Sequence, residues 1–507
     1  MPLGFKIPED VDYLIRILEE NGYEAYVVGG CVRDSFLGRI PHDWDICTDA
    51  EPQEVIDLLG CYGIQTIETG LKHGTVTAHL KNENYEITTY RIDGEYSDNR
   101  RPNSVEFVND IEQDLSRRDF TINAMAYSNI CTVIDPFDGY EDLGRKLIRC
   151  VGNPDDRFRE DALRIMRALR FAATYGFKIE EETAAAIHRN KELLKNISAE
   201  RIQSELCKML CGEGILDILL EYKDVMAVII PEFEPCIGFN QNNPYHMYDV
   251  YDHIAHAVAG YKGNDISVKV ALLLHDIGKP ECYTEDHNGG HFHGHSVPSM
   301  RIARDVVERL RFDNKTRDEV IDLVLYHDSD IYPGVRSVKR WLNKIGYEML
   351  CKLMQVRLAD ICAHSSINRA SRADKCYTII EIAKEIVDQQ QCFQLKDLAI
   401  NGYDIMALGV PSGPDVGCVL DWLLCQVLDE EVTNEHDALV EEATRYIERA
   451  LYEYVIIDGE KLKYEREGDC IINLPDRFPT AEEYLGSIDI SRELELLKAH
   501  GCDIKED

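Results

Sequence analysis

Asp43 and Asp45 flank a tryptophan in DWDICT, a β-rich run that predicts a strand. Alternate side chains of a strand point to one face, so the two carboxylates would stand side by side. Like charges that close are costly unless a cation sits between them. Mg²⁺ suits hard oxygen donors combined with substrate phosphates. A pair of such ions can activate an attacking hydroxyl and stabilise a leaving pyrophosphate. Just upstream, Gly29 and Gly30 end the strand-like EAYVVGG and precede CVRDSFLG, which reads as a helix. Glycine at that point lets the backbone approach a phosphate, and the helix N-terminus adds N–H donors. Arg33 follows inside the helix. Taken singly, a GG pair is a tight turn and a D-x-D is strand polarity. On adjacent elements, and with an arginine, they suggest a nucleotidyl-transfer site.

A second group lies in EDALRIMRALRF, where apolar residues recur at helical steps. Asp161 and Arg164 would share a helix face, with Glu160 alongside and Arg167 and Arg170 extending the row. A salt-bridged surface would account for these charges by itself. The sharper reading uses hydrogen-bond inventories. Cytosine and adenine each present an amino donor beside a ring-nitrogen acceptor, and guanine and uracil present the reverse. A carboxylate only accepts and a guanidinium only donates. An Asp plus an Arg therefore matches C and A, while unpaired buried partners penalise G and U.

A third group is rich in histidine. Residues 246, 253, 256, 275, 287, 291, 293, 295 and 327 are all histidines. LLLHDIGK places His275 and Asp276 at the end of an apolar helical run. An imidazole and a carboxylate held there need a partner, and a metal is the economical one.

These residues need elements to position them. The first part of the chain mixes strand and helix signals: EAYVVGG, DWDICT, GTVTAHLK, YEITTYR and SVEFV read as strands, and RRDFTINAMAYS as a helix. From Asn153 the helical period dominates. The expected fold is α+β: a small head with a sheet of about five strands, followed by all-helical domains. The expected boundaries are a head at 1–150, a helical neck at 151–240, a histidine-rich helical domain at 241–365, a helical body at 366–450 and a C-terminal extension at 451–507.

Composition narrows the classes. With 507 residues, 45% apolar and 29% charged, the chain is neither disordered nor a small disulfide scaffold. No run approaches the ~20 apolar residues of a membrane helix. The start, MPLGFKIPEDVDYL, lacks a secretory pattern, so a cytoplasmic protein with no membrane partner is expected. None of the 17 cysteines forms C-x-x-C, which fits reduced thiols. The net charge of −37 argues against a protein that coats nucleic acid. The acid is uneven, however: residues 401–507 hold 26 acidic against 9 basic residues, whereas 151–200 hold 9 of each. A confined basic face on the head and neck is compatible with that distribution.

VVGGCVRDSFLG and HDWDICT resemble the opening of class II tRNA nucleotidyltransferases and bacterial poly(A) polymerases. The resemblance continues in GLKHGTVTAHL, YEITTYRIDGEYSDNRRPNSVEFV, DLSRRDFTINAMAYS, DPFDGYEDL and EDALRIMRALRF. It reaches LAINGYDIMALGVPSGPDVGCVL and spans roughly residues 20–450, while the extension after it matches nothing. The resemblance implies CTP and ATP as substrates, tRNA as partner and Mg²⁺ at Asp43 and Asp45. Asp161 and Arg164 match the family's nucleotide-selecting template, with Glu160 alongside. Gly29, Gly30, Arg33, Arg118, Arg167 and Arg170 carry over as nucleotide-binding residues, and Glu86 is a candidate third carboxylate. The polar loop from Arg91 to Pro102 and GLKHGTVT look like the CCA-adding branch.

The histidine-rich stretch resembles the HD phosphohydrolase domain, whose pattern is H…HD…D. His253, His275, Asp276 and Asp360 match its core ligands. His295 and His327 match the extra histidines of binuclear or substrate-contacting versions. This resemblance implies a divalent metal (Mn²⁺, Ni²⁺, Fe²⁺ or Mg²⁺) and hydrolysis of phosphoesters, such as a 2′,3′-cyclic phosphate at an RNA end. The other reading of this stretch is a fold kept for structure. For the whole chain the main reading is addition of C, C and A to tRNA. Its alternatives are a poly(A) polymerase, an enzyme adding only CC or only A, an HD phosphohydrolase with an RNA-docking head, and a non-catalytic tRNA binder.

Overall fold

The computed structural model describes residues 6–94, 104–129, 132–287, 289–452, 454–457 and 460–463. The fold is α+β. Among the described residues the head carries the strands β1 (Ala25–Val28), β2 (Ile46–Thr48), β3 (Gln65–Gly70), β4 (Thr75–Leu80), β5 (Glu83–Thr89), β6 (Arg91–Asp93), β7 (Val105–Phe107), β8 (Ala126–Ser128) and β9 (Thr132–Ile134), and a short one at Leu147–Ile148. Seven of them form one sheet in the order β3-β4-β5-β2-β1-β8-β9. The β2–β5 pairing is parallel, and its other pairings are antiparallel. Every residue of β1 and β2 is buried. That is why β1 reads as an unbroken apolar run instead of an alternating one, while in β2 the apolar run ends at the buried Thr48.

The sheet is larger than the expected five strands. SVEFV becomes β7, which pairs with β6 outside the main sheet. RRDFTINAMAYS is not a helix: a single 3₁₀ turn, Thr121–Asn123, leads into β8. The reason is tertiary. β1 needs a partner on its free edge, and β8 supplies it through Val27–Tyr127 and Val28–Ala126 pairing. Ile122, Ala124, Met125 and Ala126 are all fully buried there.

Helices dominate from Pro154 onward. The run Val335–Ala363 is broken at Gly346, whose φ of 79° is outside helical space. That break falls beside a boundary between two compact units. One unit comprises Met1–Asp330 and Glu348–Ile380, and the other Ile331–Tyr347 and Glu381–Asp507. The second unit has its own core of Ile405, Val419, Leu423, Leu424, Leu428 and Leu439. Among the described residues no helix is long and apolar enough to cross a membrane. Residues 95–102 of the loop singled out above, and all of the C-terminal extension beyond Lys463, lie outside the described residues.

Candidate active site and metal centre

Gly29 follows β1 with φ 78°, a left-handed value that favours glycine. Its N–H donates to Met125 O at 3.0 Å, tying the turn to the segment before β8. A Cβ at Gly29 would stand 2.8 Å from Arg118 Nη1, so a side chain here would push that guanidinium aside. Asp114, itself 1% exposed, holds Arg118 at 3.2 Å and Arg117 at 2.7 Å. Arg33 is buried on the helix Gly30–Phe36. It donates to Asn123 Oδ1 at 2.5 Å and to both carboxylate oxygens of Asp34 at 2.9 and 3.0 Å. The rings of Phe171 and Tyr175 each lie 5.0 Å from its Cζ.

Asp161 and Arg164 do not sit on one continuous helix. The helix Pro154–Glu160 ends, and Asp161 turns to extended angles (φ −134°, ψ 102°). A new helix then runs Leu163–Tyr175. Asp161 Oδ1 accepts from Leu163 N at 3.1 Å, and its carbonyl accepts from Arg164 N at 3.0 Å. Aspartate is a strong capping residue, which explains the break at this position. The two side chains have different partners. Asp161 pairs with Arg201 at 3.2 Å. Arg164 donates to Glu160 at 2.8 Å and to Arg117 O at 2.9 Å.

Asp119 links these parts. It accepts from Arg167 Nε at 2.8 Å, Asn123 Nδ2 at 2.9 Å and Phe120 N at 2.8 Å. Burial acts to raise its pKa, but Arg167, Asn123 and Arg164 outweigh it and hold the carboxyl down at about 2. These elements border an open cavity of 380 Å³. It is lined by Gly29, Gly30, Arg33, Asp45, Arg117, Arg118, Asp119, Asn123, Asp161, Arg164, Arg167 and Phe171.

The carboxylate pair differs from expectation. The strand begins only at Ile46, so Asp43 and Asp45 precede it in irregular chain. Asp45 lines the cavity. Loss of hydration raises its pKa; Arg118 opposes that rise, and the like charges of Glu86 and Asp43 add to it. Asp43 is exposed and, like Glu160 and Arg170, is not among the lining residues. Glu160 also pairs with Arg157 at 2.7 Å. Arg170 is turned to Glu205 at 2.5 Å and packs over the Phe171 ring. The sequence reading missed Asp119 and Asn123, although both lie in the quoted RRDFTIN block. Arg201 and Glu205 carried no local signal.

The histidine cluster is assembled from several helices. His253 lies on Val250–Gly260, His275 caps Ile266–Leu274, and His295 precedes Ser296–Arg309. His327 caps Asn314–Tyr326, and Asp360 is near the end of Val335–Ala363. One ligand atom from each of His253, His275, Asp276 and Asp360 lies within 4.8 Å of the others. The same holds for Asp276, His295 and His327. The two oxygens of Asp276 divide between these groups. Oδ2 approaches His253 and His275 at 3.1 and 3.2 Å, and Oδ1 approaches His295 at 3.1 Å. The buried Nε2 atoms of His253 and His275 make no hydrogen bond. Orphaned imidazole nitrogens facing carboxylates fit a divalent metal. Asp276 and Asp360 are held well below the ordinary carboxylate range: burial opposes this, and His275 for Asp276 and His364 for Asp360 lead the groups that outweigh it. His364 was also missed, despite its one-turn spacing from Asp360.

The sequence profile of the poly A polymerase head domain matches residues 25–149, that of an RNA- and SrmB-binding site of polymerase A matches 176–237, and that of tRNA nucleotidyltransferase domain 2 matches 299–443. The CCA-adding enzyme of Levilactobacillus brevis is 33% identical over 448 residues, covering 86% of this chain and 98% of that protein. The chain belongs to the CCA-adding enzyme family. The CCA-adding enzyme of Limosilactobacillus fermentum is 50% identical over 434 residues, 85% of this chain and 95% of the relative. The crystal structure of the Bacillus stearothermophilus CCA-adding enzyme in complex with CTP superposes with a TM-score of 0.67 at 30% identity, covering 88% of this chain and 98% of that one. A Thermotoga maritima CCA-adding enzyme complexed with tRNA shares the fold at a TM-score of 0.54 and 20% identity. As a CCA-adding enzyme the chain is a tRNA nucleotidyltransferase. Nucleotidyl transfer of this kind uses a divalent metal; among the described residues, the groups whose ligand atoms already stand close enough to hold one lie in the histidine cluster.

Proposed function

We propose that this CCA-adding enzyme works through the head cavity, joining a tRNA 3′-hydroxyl to the α-phosphorus of CTP or ATP. Addition of C, C and A in turn follows. The observation that carries this reading is the convergence of Gly29, Arg33, Asp45, Arg118, Asp161, Arg164 and Arg167 around one 380 Å³ space. That volume is within the range of small-molecule sites. In this reading Asp161 accepts from the amino group of C or A, and Arg164 donates to the ring nitrogen. Arg33, Arg118 and Arg167 neutralise the triphosphate, and the glycine turn lets it come close. Asp119 positions Arg167.

Asp43 and Asp45 would hold Mg²⁺, with Glu86 as a further carboxylate. The donor set fits, because it is all hard oxygen and its mutual repulsion raises the Asp45 pKa. When bound, Mg²⁺ supplies activation of the 3′-hydroxyl and neutralisation of the leaving pyrophosphate. The reading is of a cytoplasmic enzyme in which a confined basic face on the head and neck meets tRNA while acid elsewhere repels it. A primer-extension gel tests it, using tRNAs that end before CCA, after C and after CC, with each nucleotide alone and with CTP plus ATP. Stepwise C, C, A and a stop is the expected result. A long A ladder, or C-only or A-only addition, would overturn the complete CCA assignment.

A second activity is favoured by the two ligand groups that share Asp276. We infer a metal-dependent phosphohydrolase centre of the HD type at His253, His275, Asp276 and Asp360, with His295 and His327 completing it. A hydroxide there would attack a phosphoester, in this reading a damaged RNA 3′ end. The test is hydrolysis of 2′,3′-cyclic nucleotides by the full chain with Mn²⁺, Ni²⁺, Fe²⁺ or Mg²⁺. Turnover no higher than that of Asp276→Ala would sink it.

A further inference from the structure

Four imidazoles of the histidine cluster share one device. His275, His295, His327 and His364 each turn Nδ1 to a carbonyl three or four residues back, that of Leu272, Phe292, Val324 and Asp360, at 2.8, 2.9, 2.7 and 3.0 Å. An Nδ1–H donated in this way leaves Nε2 as the lone-pair nitrogen. His253 departs from the pattern. Its Nε2 faces Asp276 and Asp360 at 3.1 and 2.9 Å. Its Nδ1, in a residue that is 0% exposed, has no hydrogen-bond partner. His246 Nδ1 is buried and unpartnered in the same way.

The rings that carry them lie close together, with the His364 ring beside them. The His246 and His364 rings are 5.3 and 4.9 Å from the His253 ring and 4.5 Å from each other. One nitrogen from each of the three residues lies within 4.8 Å of the other two. The backbone fixes the arrangement, because Ser365 N donates to Tyr245 O at 2.9 Å. That bond fastens the loop carrying His246 to the segment following His364.

We propose that His246, His253 and His364 form a further divalent-cation site, joined to the HD-type centre through the shared ring of His253, which bridges the two as an imidazolate and gives up its N–H proton to solvent when both are filled. It rests on that reading only through His253. Three imidazoles with no carboxylate favour Zn²⁺, Ni²⁺ or Cu²⁺ over Mg²⁺ or Ca²⁺. A fourth position stays open to water or a phosphate oxygen, which would place an extra cation beside the hydrolytic centre.

Zinc tests this without any activity. The full chain is loaded with Zn²⁺, zinc content is measured by mass spectrometry, and anomalous diffraction at the zinc edge locates the ions. The expected result is a peak about 2.0–2.1 Å from a nitrogen of all three rings. His246→Ala and His364→Gln should each lose that peak and one zinc per chain while keeping zinc at His275 and Asp276. His246 is only half-buried, so its variant should fold. An empty trio beside a filled His275–Asp276 centre would overturn this proposal and leave the HD reading intact. A peak that survives in both variants would also overturn it. No zinc at either place, in wild type and in Asp276→Ala alike, would overturn both.

Discussion

The head cavity is walled by Arg33, Arg117, Arg118, Arg164 and Arg167 against three aspartates, whereas the histidine cluster sets Asp276 and Asp360 among imidazoles. In the cluster, ligand atoms already stand within 4.8 Å of one another. In the head, among the described residues, neither Asp43 nor Asp45 belongs to such a group. The contrast has an electrostatic origin. The cluster is held by internal charge balance: Asp276 and Asp360 overcome burial and push His275 up to about 10. A metal would take over that balance by displacing the proton. The head cations are instead spent on fixed carboxylates at their backs, such as Asp114 and Asp119, and keep N–H groups for an anionic ligand. Such a site is complete only when a triphosphate brings its own charge. In the proposed reading, one centre is assembled by folding and the other by its substrate.

The sharpest way to break this comparison is to cross the two carboxylates. Asp45→Ala should lower nucleotide addition about a thousandfold, the equivalent of ~4 kcal/mol of lost metal stabilisation. It should leave the metal content of the histidine cluster unchanged. Asp276→Ala should do the reverse. Addition that survives Asp45→Ala would remove the metal role from the head. A related measurement sharpens the point: Mn²⁺ titrated into the apo chain should fill the cluster without nucleotide, and fill the head only once CTP is added. Head occupancy without CTP would contradict substrate-completed assembly.

Smaller effects follow. Asp161→Ala should relax base choice, cutting discrimination against UTP and GTP by about 10- to 100-fold, since each lost pairing is worth ~1–3 kcal/mol. Competition assays with mixed nucleotides read this directly, and unchanged rejection would count against the template. Asp119→Asn should act on stability. A carboxyl lowered from 3.8 to about 2 contributes stability that is present above pH 4 and lost as pH falls through about 2. The contribution is roughly 2 kcal/mol. Denaturation at pH 5 and pH 2 should therefore show a smaller loss in the variant than in wild type. An equal loss would mean that Asp119 is not the linked group.

Legibility differed by region. Gly29 was legible as the end of an apolar run before a helix, where a turn is required, whereas Arg118 entered only through the family resemblance of its block; the structure brings both to the same cavity. Asp119 lay in the same block and was passed over, since its role is to receive Arg167 from 48 residues away. Arg201 and Glu205 were invisible for the same reason: their partners, Asp161 and Arg170, lie far away in sequence and outside the helix that carries them. RRDFTINAMAYS misled because local pattern favoured helix, while the open edge of β1 required a strand.

By itself, then, the amino-acid sequence determined the residue types at both centres, because donor chemistry and local spacing are written along the chain. It determined the α+β division as well, since hydrophobic period is local. Only the tertiary structure decided which carboxylate faces the cavity, where the template helix breaks, and that His246 and His364 join His253. Those outcomes depend on contacts between residues far apart in sequence, and on burial, which converts an ordinary imidazole into a nitrogen in need of a partner.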